Sequence, residues 1–551
     1  MRKILFLLFI FTLGAMLRFY LLGDYPVSLH KDEAFLGYNA YSILQTGRDM
    51  NGNFLPLHLA SFLYSPSGYS YFSIPFIKLF DLNAFSVRFV SALFGSLTIL
   101  VTYFLVKELF KKWNLALLSA LFLAISPWHI NLSRTATENT VVVFFISLGV
   151  LLYLHWLKKE NLWLLLVSFL SFGITIFVYQ APRAFLPLFI PTMMLFFLKK
   201  QEEKKQMIMP IIFYTAIIVL PLFFILTSKD LSLRIRTVSI FATEQTQLVL
   251  DEQIREDGVS KAPRFLTRVF HNKVVGYSEQ FLQNYFKHFT YDFLFTDQGF
   301  PARYHIPLIG LLYIIELPLL LVGISYVLIS KNRIGLFLLS WIVISPIGSS
   351  LTFDDVPNLQ RTLLMFPSLS ILSALGLLYI FSLCKQRSKV SRGMIIFIVV
   401  AFVYNVLFYL HQYYIHALLY RPWYRNDGYR ELVKKANTLI PNYKKVVVTD
   451  RESSPTIFFL FYGKYNPVLF QQETKGTTMH DFDRIGFGKY EFSQEECPVR
   501  EIMKDGTTIV TGKRGILYVN SGLCKTPNNV RVLHTVKRAD NSIAFRIIDL
   551  Q

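Results

Sequence analysis

An adjacent pair of carboxylates, Asp32 and Glu33, lies just after the first long apolar run of this 551-residue chain. A carboxylate at the start of a helix can accept backbone N–H hydrogen bonds and complement the helix dipole, which contributes on the order of 1 kcal/mol. A carboxylate that is fixed in this way can also act as a general base on a hydroxyl group. The sequence leaves both roles open for Asp32, whereas capping or a supporting role is the simpler account of Glu33.

Three arginines lie in short segments between long apolar runs: Arg134 in "SPWHINLSRTATEN", Arg183 in "YQAPRAF" and Arg361 in "DDVPNLQRTLL". On the topology derived below these segments are extracytoplasmic, where Lys and Arg are normally depleted. Any one of them is explained by contact with lipid headgroups. Three on the same side as an acid pair favour a shared anionic ligand, and the planar guanidinium group is suited to phosphate oxygens. We therefore expect a lipid-linked phosphate at the outer membrane surface.

Weaker candidates surround these residues. Glu138 follows Arg134 by one helical turn, so it either orients that arginine or forms an ordinary surface ion pair. Arg303 is a fourth candidate for binding the phosphate. Further supporting candidates lie in predicted extracytoplasmic segments: Tyr64, Tyr69, His129, His288 and His305. A lone histidine is more often a packing residue than a ligand. Acids such as Asp354 and Asp355 could bind a divalent metal with Asp32 and Glu33, but no spacing is specific for a metal, and we predict no cofactor.

The elements that must position these residues are membrane helices, because 53% of the chain is hydrophobic. An apolar run of about 18 residues or more can cross a hydrocarbon core of ~30 Å as a helix. The chain has about eleven candidate runs, two of them short of a full span. They are residues 4–22, 85–106, 113–127, 138–157, 161–179, 184–198, 208–227, 305–329, 334–351, 362–383 and 393–416. The first could be a signal peptide, but no A-x-A cleavage site follows its long apolar stretch, which favours a retained span.

The formal net charge of +20 does not indicate a nucleic-acid-binding protein, because Lys and Arg cluster in alternate short connectors. These connectors include "KKQEEKK" at 199–205 and "KQRSKVSR" at 385–392. The positive-inside rule makes them cytoplasmic. With the N-terminus inside and an odd number of spans, the chain after about residue 418 is extracytoplasmic, and we predict a multi-pass protein of the plasma (inner) membrane.

We predict two domains: a transmembrane domain over residues 1–418 and an extracytoplasmic α/β domain over residues 419–551. In the first external loop, Leu36, Ala40, Ile43 and Leu44 predict an amphipathic helix at the membrane surface that stops at Gly47. A second interfacial segment, "YSPSGYSYFSIPFIKLF", is rich in aromatic residues.

The tail is predicted to contain a helix in "DGYRELVKKANTLI", buried strands in "KKVVVTD" and "GTTIVTG", and a hairpin that turns at Asp540 and Asn541. Asp450 and Glu452 follow a strand, where either a site or a solvated loop is expected. Of the three cysteines, Cys497 and Cys524 could pair if the tail lies in an oxidising space.

Several of these stretches together resemble the GT-C glycosyltransferases: "DEAFLGYNAYSILQTGRD", "FSVRFVSALFGSLTILVTYFLVKELF", "ALLSALFLAISPWHINLSRTATEN" and "RTLLMFPSLSILSALGL". The chain is similar to the protein O-mannosyltransferase-like enzymes of the family 39 type and, more distantly, to the aminoarabinose transferase of lipid A. The resemblance is strongest over residues 20–190 and does not extend to the tail.

The resemblance implies an inverting transferase that moves a sugar from a polyprenyl-phosphate donor to an acceptor protein, glycan or lipid on the outer face. It implies that Asp32 is the general base, with Glu33 in support and the arginines on the leaving phosphate. Relatives usually have a His-Pro-Pro-Leu or Lys-Pro-Pro-Leu motif where this chain has Ser65–Gly68, so Arg134, Arg183 or Arg303 would have to compensate.

Two other functions stay open on the sequence. A flippase or transporter for lipid-linked sugars would use the same arginines and should have ionisable residues inside spans, of which Glu316 is one. A catalytically inactive scaffold of the same fold is the third interpretation, because of the altered segment Ser65–Gly68.

Overall fold

The computed structural model describes residues 2–59, 65–197, 203–229, 231–384, 388–476, 484–504, 507–528 and 530–550. Most of the chain is helical. The α-helices are, in chain order, α1 Arg2–Phe19, α2 Lys31–Thr46, α3 Gly68–Phe80, α4 Ala84–Phe110, α5 Trp113–Ile125, α6 Pro127–Ser133, α7 Glu138–Lys159, α8 Leu162–Val178, α9 Pro182–Phe197, α10 Glu203–Tyr214, α11 Leu220–Thr227, α12 Leu233–Val238, α13 Gln245–Val259, α14 Arg264–Phe270, α15 Lys273–Lys287, α16 Glu316–Ser330, α17 Arg333–Ile344, α18 Ile347–Ser350, α19 Ser368–Cys384, α20 Ser388–His411, α21 Ala417–Leu419, α22 Tyr429–Leu439, α23 Pro455–Gly463 and α24 Pro467–Glu473. The strands are β1 His58–Leu59, β2 Ser65–Pro66, β3 Lys445–Thr449, β4 Tyr490–Ser493, β5 Glu501–Lys504, β6 Thr507–Val510, β7 Ile516–Ser521, β8 Arg531–Lys537 and β9 Ile543–Asp549.

Every predicted apolar run contains a helix. In the part of the chain that the structure describes, five helices are long and apolar enough to cross a membrane, or up to six if the bent pair α5 and α6 is one span. The two helices of that pair meet at 58°. Four further apolar helices, α8, α9, α16 and α19, are shorter. The chain is therefore a helical membrane protein, while the number of eleven spans stays a prediction.

The chain divides into two compact units, which we name the helical unit and the mixed unit. The helical unit comprises Met1–Arg18, Leu93–Ser133 and Thr137–Leu410, and the mixed unit comprises Phe19–Ala92, Arg134–Ala136 and His411–Gln551. Each unit is formed by three segments that are separate in the sequence. The domain boundary predicted at residue 418 stays a prediction.

Close helix packing holds the helical unit together, with α7 against α8, α16 against α19 and α5 against α19. Glycines permit the contact of α16 with α19: a Cβ on Gly376 would lie 1.9 Å from the carbonyl oxygen of Leu319, and one on Gly323 would lie 2.1 Å from that of Leu372. Small residues of this kind let the backbones of membrane helices approach each other.

In the mixed unit, the predicted amphipathic helix is α2, and it ends as predicted at Gly47, whose φ is +68°. Its apolar residues Leu36, Ala40 and Ile43 are buried, and the helix packs against α3 and α23. A Cβ on Gly37 would lie 2.7 Å from the Phe461 ring, so this packing is close. The aromatic segment forms α3, although Tyr64 lies outside the described residues.

The predicted tail elements are present. A five-stranded sheet has the order β4-β3-β7-β9-β8, in which β3 is parallel to β4 and β7 and the hairpin β8–β9 is antiparallel. The strand predicted in "GTTIVTG" is β6, which pairs with β5 in a separate two-stranded sheet. The prediction that β6 is buried is wrong, because Ile509 is 40% exposed. Cys497 and Cys524 form a disulfide, with their Cα atoms 5.7 Å apart.

Candidate active site and donor-binding cavity

A buried ion pair joins Glu33 to Arg88 at the start of α2. The Glu33 carboxylate accepts hydrogen bonds from Arg88 Nε at 3.0 Å and Nη2 at 3.1 Å, and from the backbone N–H groups of His30 at 3.2 Å and Ala136 at 2.7 Å. The exposed fraction is 3% for Glu33 and 0% for Arg88. Burial alone would raise the pKa of Glu33, but the charge of Arg88 and the hydrogen bonds outweigh it and lower the pKa. Glu33 is therefore an ionised structural carboxylate that caps α2.

Arg88 also fixes the loop that precedes α2. Its guanidinium group donates to the carbonyl oxygens of Leu22 at 3.3 Å, Pro26 at 2.8 Å and Ser28 at 2.5 Å. We did not single out Arg88 from the sequence. A charged residue at the start of the apolar run 85–106 was the available signal, since a charge inside a membrane segment normally has a partner.

Asp32 differs from its neighbour, because its side chain is 52% exposed. Its backbone N–H donates to Nδ1 of His30 at 3.2 Å, and its carboxylate lies 3.4 Å from the same atom. Glu33 rather than Asp32 supplies the carboxylate of the capping box. The Asp32 carboxylate is therefore exposed at the surface of the mixed unit beside His30, and its role in proton transfer stays a prediction.

Arg134 is fully buried in the mixed unit, among aromatic side chains. Its Nη2 donates to the carbonyl oxygens of Tyr20 at 2.7 Å and Tyr25 at 3.3 Å, and its Nε donates to the Tyr413 hydroxyl at 3.1 Å. Its guanidinium carbon lies 5.1 Å from the ring centre of Tyr413 and 5.4 Å from that of Tyr414. These contacts hold the guanidinium group of Arg134 in place. The predicted pairing with Glu138 joins residues of the two units and stays a prediction.

Arg183 and Arg361 line one cavity of about 230 Å³ in the helical unit. Apolar side chains from α11, α12 and the segment between them line it as well: Leu222, Leu226, Leu231, Ile235 and Val238. Arg361 is held by the Thr352 hydroxyl at 2.5 Å and by the carbonyl oxygen and carboxylate of Asp354 at 3.1 and 3.3 Å. Arg183 donates to the carbonyl oxygen of Ile176 at 3.3 Å. The cavity thus combines two guanidinium groups with an apolar wall.

His288 and Asn358 position the backbone of Arg361. Nε2 of His288 accepts the Asn358 N–H at 3.2 Å and lies 3.0 Å from the Ser349 hydroxyl, while Nδ1 lies 2.9 Å from the carbonyl oxygen of Asn284. The Asn358 side chain in turn accepts the N–H of Arg361 at 2.9 Å. Burial lowers the pKa of His288 to about 4, with a smaller contribution from the positive charge of Arg361. The ring is therefore neutral at physiological pH and serves as a fixed hydrogen-bond centre behind the cavity.

Two other candidates, Arg303 and His305, also contact protein groups. Arg303 lies 3.4 Å from Oε1 of Gln360, and its guanidinium carbon is 4.9 Å from the centre of the Tyr304 ring. Nε2 of His305 contacts the carbonyl oxygen of Gly299. The structure thus places Arg303 beside the loop that carries Arg361, within the helical unit, and its role in phosphate binding stays a prediction.

His129 lies in α6 and is fully buried. Its Nδ1 accepts from Arg18 Nη2 at 3.0 Å and lies 3.2 Å from the Ser133 hydroxyl. Arg18 also donates to the last carbonyl oxygens of α5, those of Leu123 at 3.2 Å and Ala124 at 3.0 Å. This arginine, which we did not select from the sequence, therefore caps α5 where the chain bends into α6. Its signal was again a charge inside an apolar run.

Tyr69 is a structural residue in the mixed unit. It is fully buried, and its hydroxyl lies 2.9 Å from both the carbonyl oxygen of Val87 and the hydroxyl of Ser91. These contacts tie α3 to α4, and the predicted supporting role of Tyr69 at the site stays a prediction. The companion candidate Tyr64 lies outside the described residues.

Glu316, the residue that motivated a transport function, is the first residue of α16 and is 3% exposed. Its carboxylate accepts the backbone N–H of Tyr313 at 3.3 Å. An acid in the first turn of a helix also complements the helix dipole, which is a common feature of helix N-termini. This contact accounts for Glu316 without transport.

The two candidate acids of the tail, Asp450 and Glu452, form ion pairs. Asp450 lies 2.6 Å from Nε of Arg484. Glu452 pairs with Arg538 and accepts from the Ser521 hydroxyl at 3.1 Å. Over the described ranges no group of three or more His, Cys, Asp or Glu side chains is arranged to hold a metal ion. The candidate chemistry is thus concentrated in Asp32 and the arginine cavity.

Comparisons with known proteins agree with this architecture. Residues 65–227 match the family model described as dolichyl-phosphate-mannose-protein mannosyltransferase. An uncharacterized protein of Aquifex aeolicus (strain VF5) is 31% identical over 156 residues, which is 28% of this chain and 30% of that protein. The chain thus matches less than a third of the length of this curated relative.

Two crystal structures of ArnT from Cupriavidus metallidurans resemble the whole chain. The apo structure has a TM-score of 0.53 and the structure bound to undecaprenyl phosphate one of 0.51, each at 12% identity and covering 98% of this chain and 97% of the other. The chain is therefore a membrane protein with the fold of ArnT, and its residues 65–227 are similar in sequence to the family described as dolichyl-phosphate-mannose-protein mannosyltransferase.

Proposed function

We propose that this protein is an integral membrane glycosyltransferase that transfers a sugar from a polyprenyl-phosphate donor to an acceptor hydroxyl at the extracytoplasmic face. The GT-C fold and the mannosyltransferase family match support this class of reaction. The bound undecaprenyl phosphate of one ArnT structure supports this class of lipid. The sugar is a hexose or a pentose in this proposal, and its transfer inverts the anomeric centre.

The observation that carries the proposal is the cavity with Arg183 and Arg361. A polyprenyl phosphate has an anionic head on a long apolar chain, and the cavity offers two guanidinium groups beside leucine, isoleucine and valine side chains. Arginine remains charged in a low-dielectric site and can hold phosphate oxygens by two parallel hydrogen bonds. We assign the donor phosphate to Arg183 and Arg361 ahead of Arg134, because these two arginines line the cavity and Arg134 does not.

Asp32 is the general base in this proposal. Its exposed carboxylate takes the proton of the acceptor hydroxyl while the acceptor oxygen bonds to the anomeric carbon of the donor. The bond from that carbon to the phosphate oxygen breaks, and the polyprenyl phosphate leaves with its negative charge. Cations aimed at the leaving oxygen bind it more strongly in the transition state than in the ground state, which accelerates the step.

The extracytoplasmic placement has two supports. The basic connectors 199–205 and 385–392 fall on the opposite side of the predicted topology. The disulfide between Cys497 and Cys524 is typical of an oxidising compartment, which agrees with an external tail.

The test uses the purified full-length protein in lipid nanodiscs with labelled polyprenyl-phosphate sugars. Wild type should release the lipid phosphate from one of the donors, by transfer or slow hydrolysis. Asp32→Asn should lower this turnover by about 10²-fold or more, as expected for loss of a general base. The matched control is Asp251→Asn on the exposed face of α13, which should keep wild-type turnover.

Donor binding is measured separately with the same lipids. Arg183→Gln and Arg361→Gln should weaken binding of the donor, whereas Arg264→Gln, an exposed arginine on α14, should not. Equal turnover by wild type and Asp32→Asn would show that the general-base assignment is wrong. Translocation of an intact lipid-linked sugar without any bond cleavage would establish the transporter instead, and binding without turnover of any donor would establish the inactive scaffold.

A further inference from the structure

A pocket of about 300 Å³ in the helical unit lies where the C-terminal ends of α4 and α7 meet. Both helices are long and apolar enough to span a membrane. We name it the basic pocket, and its lining residues are Phe104, Lys107, Glu108, Lys111 and His155. It shares no lining residue with the arginine cavity, and the proposed transfer reaction gives none of its residues a role.

One carboxylate joins the ends of the two helices. Glu108 on α4 pairs with Lys111, at 2.9 Å, and with Lys158 on α7. Nε2 of His155 on α7 lies 3.8 Å from the same carboxylate. The Glu108 side chain is 15% exposed, whereas those of Lys111 and Lys158 are 58% and 51% exposed. The two ammonium groups are therefore held at the pocket and remain accessible from outside the protein.

Positive charge exceeds negative charge at this end of the two helices. Lys107 also lines the pocket, is exposed, and has no carboxylate within ion-pair distance among the described residues. Because Glu108 can balance only one of the three lysines around it, two positive charges stay uncompensated. The connectors that follow α4 and α7 add three more exposed charges, those of Lys112, Lys159 and Glu160. Together these five lysines and two glutamates carry a net charge of +3.

Aromatic side chains beside the pocket are those expected at the level of the lipid headgroups. Trp113 begins α5 and is 39% exposed, and Trp163 in the first turn of α8 is 71% exposed. Nζ of Lys3 lies 5.0 Å from the centre of the Trp113 ring. Exposed tryptophans near lysines are typical of the membrane–water interface. Phe104, one helical turn before Lys107 within the apolar helix α4, gives the pocket an exposed apolar wall.

We propose that the basic pocket binds the phosphate group of an anionic glycerophospholipid in the leaflet on this side of the membrane. Lys107 and Lys111 donate to the phosphate oxygens, Lys158 adds positive charge, and the Phe104 ring contacts the acyl chains. Basic pockets between membrane helices bind lipid headgroups, and each lysine near the surface favours an anionic lipid by about fivefold.

The site is independent of the proposed transferase function. On the topology predicted from the sequence, the connectors after α4 and α7 are cytoplasmic, whereas the proposed sugar transfer takes place on the opposite side. The lipid is therefore a ligand of the scaffold and neither a donor nor an acceptor of the sugar. Its binding is measured without any sugar donor.

The experiment uses the full-length protein in nanodiscs of phosphatidylcholine with an increasing fraction of phosphatidylglycerol that carries a photoreactive group near its phosphate. After illumination, mass spectrometry quantifies the labelled peptides that contain residues 104–113 and 155–163, so the readout is local to the basic pocket. Photoreactive phosphatidylcholine is the comparison probe. Phosphatidylglycerol should label these peptides with at least tenfold higher apparent affinity, and added salt should reduce the difference.

The double variant Lys107→Gln with Lys111→Gln should weaken the apparent affinity for phosphatidylglycerol by roughly thirtyfold, because two lysines are lost. The matched control, Lys107→Arg with Lys111→Arg, keeps both charges and should label like wild type. Lys331→Gln removes an exposed lysine between α16 and α17 that does not line the pocket, and it should also label like wild type.

Competition distinguishes a lipid from free phosphate as the source of the anion. Unlabelled phosphatidylglycerol should displace the photoreactive lipid, whereas inorganic phosphate at the same concentration should not. If inorganic phosphate competes equally well, the ligand is a soluble anion and the assignment to a lipid is wrong. Equal labelling of wild type and the glutamine double variant, or equal labelling by the two photoreactive lipids, would overturn the proposal.

Discussion

The buried ion pair of Glu33 and Arg88 should be the place in the mixed unit where a single substitution lowers stability most. The substitution Glu33→Gln leaves the Arg88 guanidinium group buried without a counter-charge, and the amide can accept only part of the four hydrogen bonds that the carboxylate receives. Removing one partner of a buried ion pair destabilises a protein by about 3 to 5 kcal/mol. That loss corresponds to a fall in melting temperature on the order of 10 °C.

Thermal unfolding of the detergent-solubilised protein measures this effect. The matched control is Glu491→Gln, because Glu491 pairs with Lys445 in the same unit but both side chains are about half exposed. That exposed pair should contribute about 0 to 1 kcal/mol. The double variant Glu33→Gln with Arg88→Gln should be less destabilised than the sum of the single variants, because no uncompensated charge remains.

The pH dependence supplies a second check. The pKa of Glu33 is lower in the folded protein than its ordinary value of 4.5. Its contribution is therefore fully present above pH 4.5 and is lost as the pH falls through the folded-state pKa. The difference in stability between wild type and Glu33→Gln should narrow over that acidic range. If Glu33→Gln and Glu491→Gln had the same melting temperature at neutral pH, the assigned role of the buried ion pair would be refuted.

Three further predictions concern other parts of the structure. Gly376→Ala places a Cβ 1.9 Å from a carbonyl oxygen of α16 and should lower the melting temperature strongly, whereas Gly393→Ala, with no heavy atom within 4 Å, should not. Because the folded-state pKa of His288 is about 4, below its ordinary value of 6.5, its contribution is present above pH 6.5. Roughly 3 kcal/mol of the free energy of unfolding should be lost as the pH falls from 6.5 to 4. Binding of the donor to wild type should weaken over this pH range. Binding of the donor to His288→Gln should not change with pH. Cys497→Ser opens the bond to Cys524 and should destabilise the tail by about 2 to 5 kcal/mol in chemical unfolding. Reduction of wild type should lower its stability to that of Cys497→Ser.

Hydropathy and strand patterns predicted most of the elements. Each apolar run contains a helix, and the hairpin, the helix and the first strand of the tail are found where the periodicity placed them. Local signals suffice here, because the hydrophobic period of a helix or strand is set by its own backbone geometry. The error at β6 has the same origin: an apolar strand pattern does not reveal whether a second layer covers it.

The candidate site was less predictable, because its residues come together only in the folded chain. The sequence suggested a phosphate site from Arg183 and Arg361, and these two do line one cavity, but it could not show that Leu222 and Ile235 form the apolar wall. It also missed Arg88. Whether a charge in an apolar run faces a partner depends on packing across many residues of sequence separation, which no local pattern contains.

The sequence by itself determined that this is a helical membrane protein with a small α/β tail, since apolar length and backbone periodicity are properties of single segments. It also determined the chemical types at the candidate site, an acid pair and a set of arginines. Only the tertiary structure decided how the acid pair divides its roles. Glu33 is buried on Arg88 and Asp32 is exposed, because neighbouring residues on a helix point in different directions and only one of them meets the buried cation.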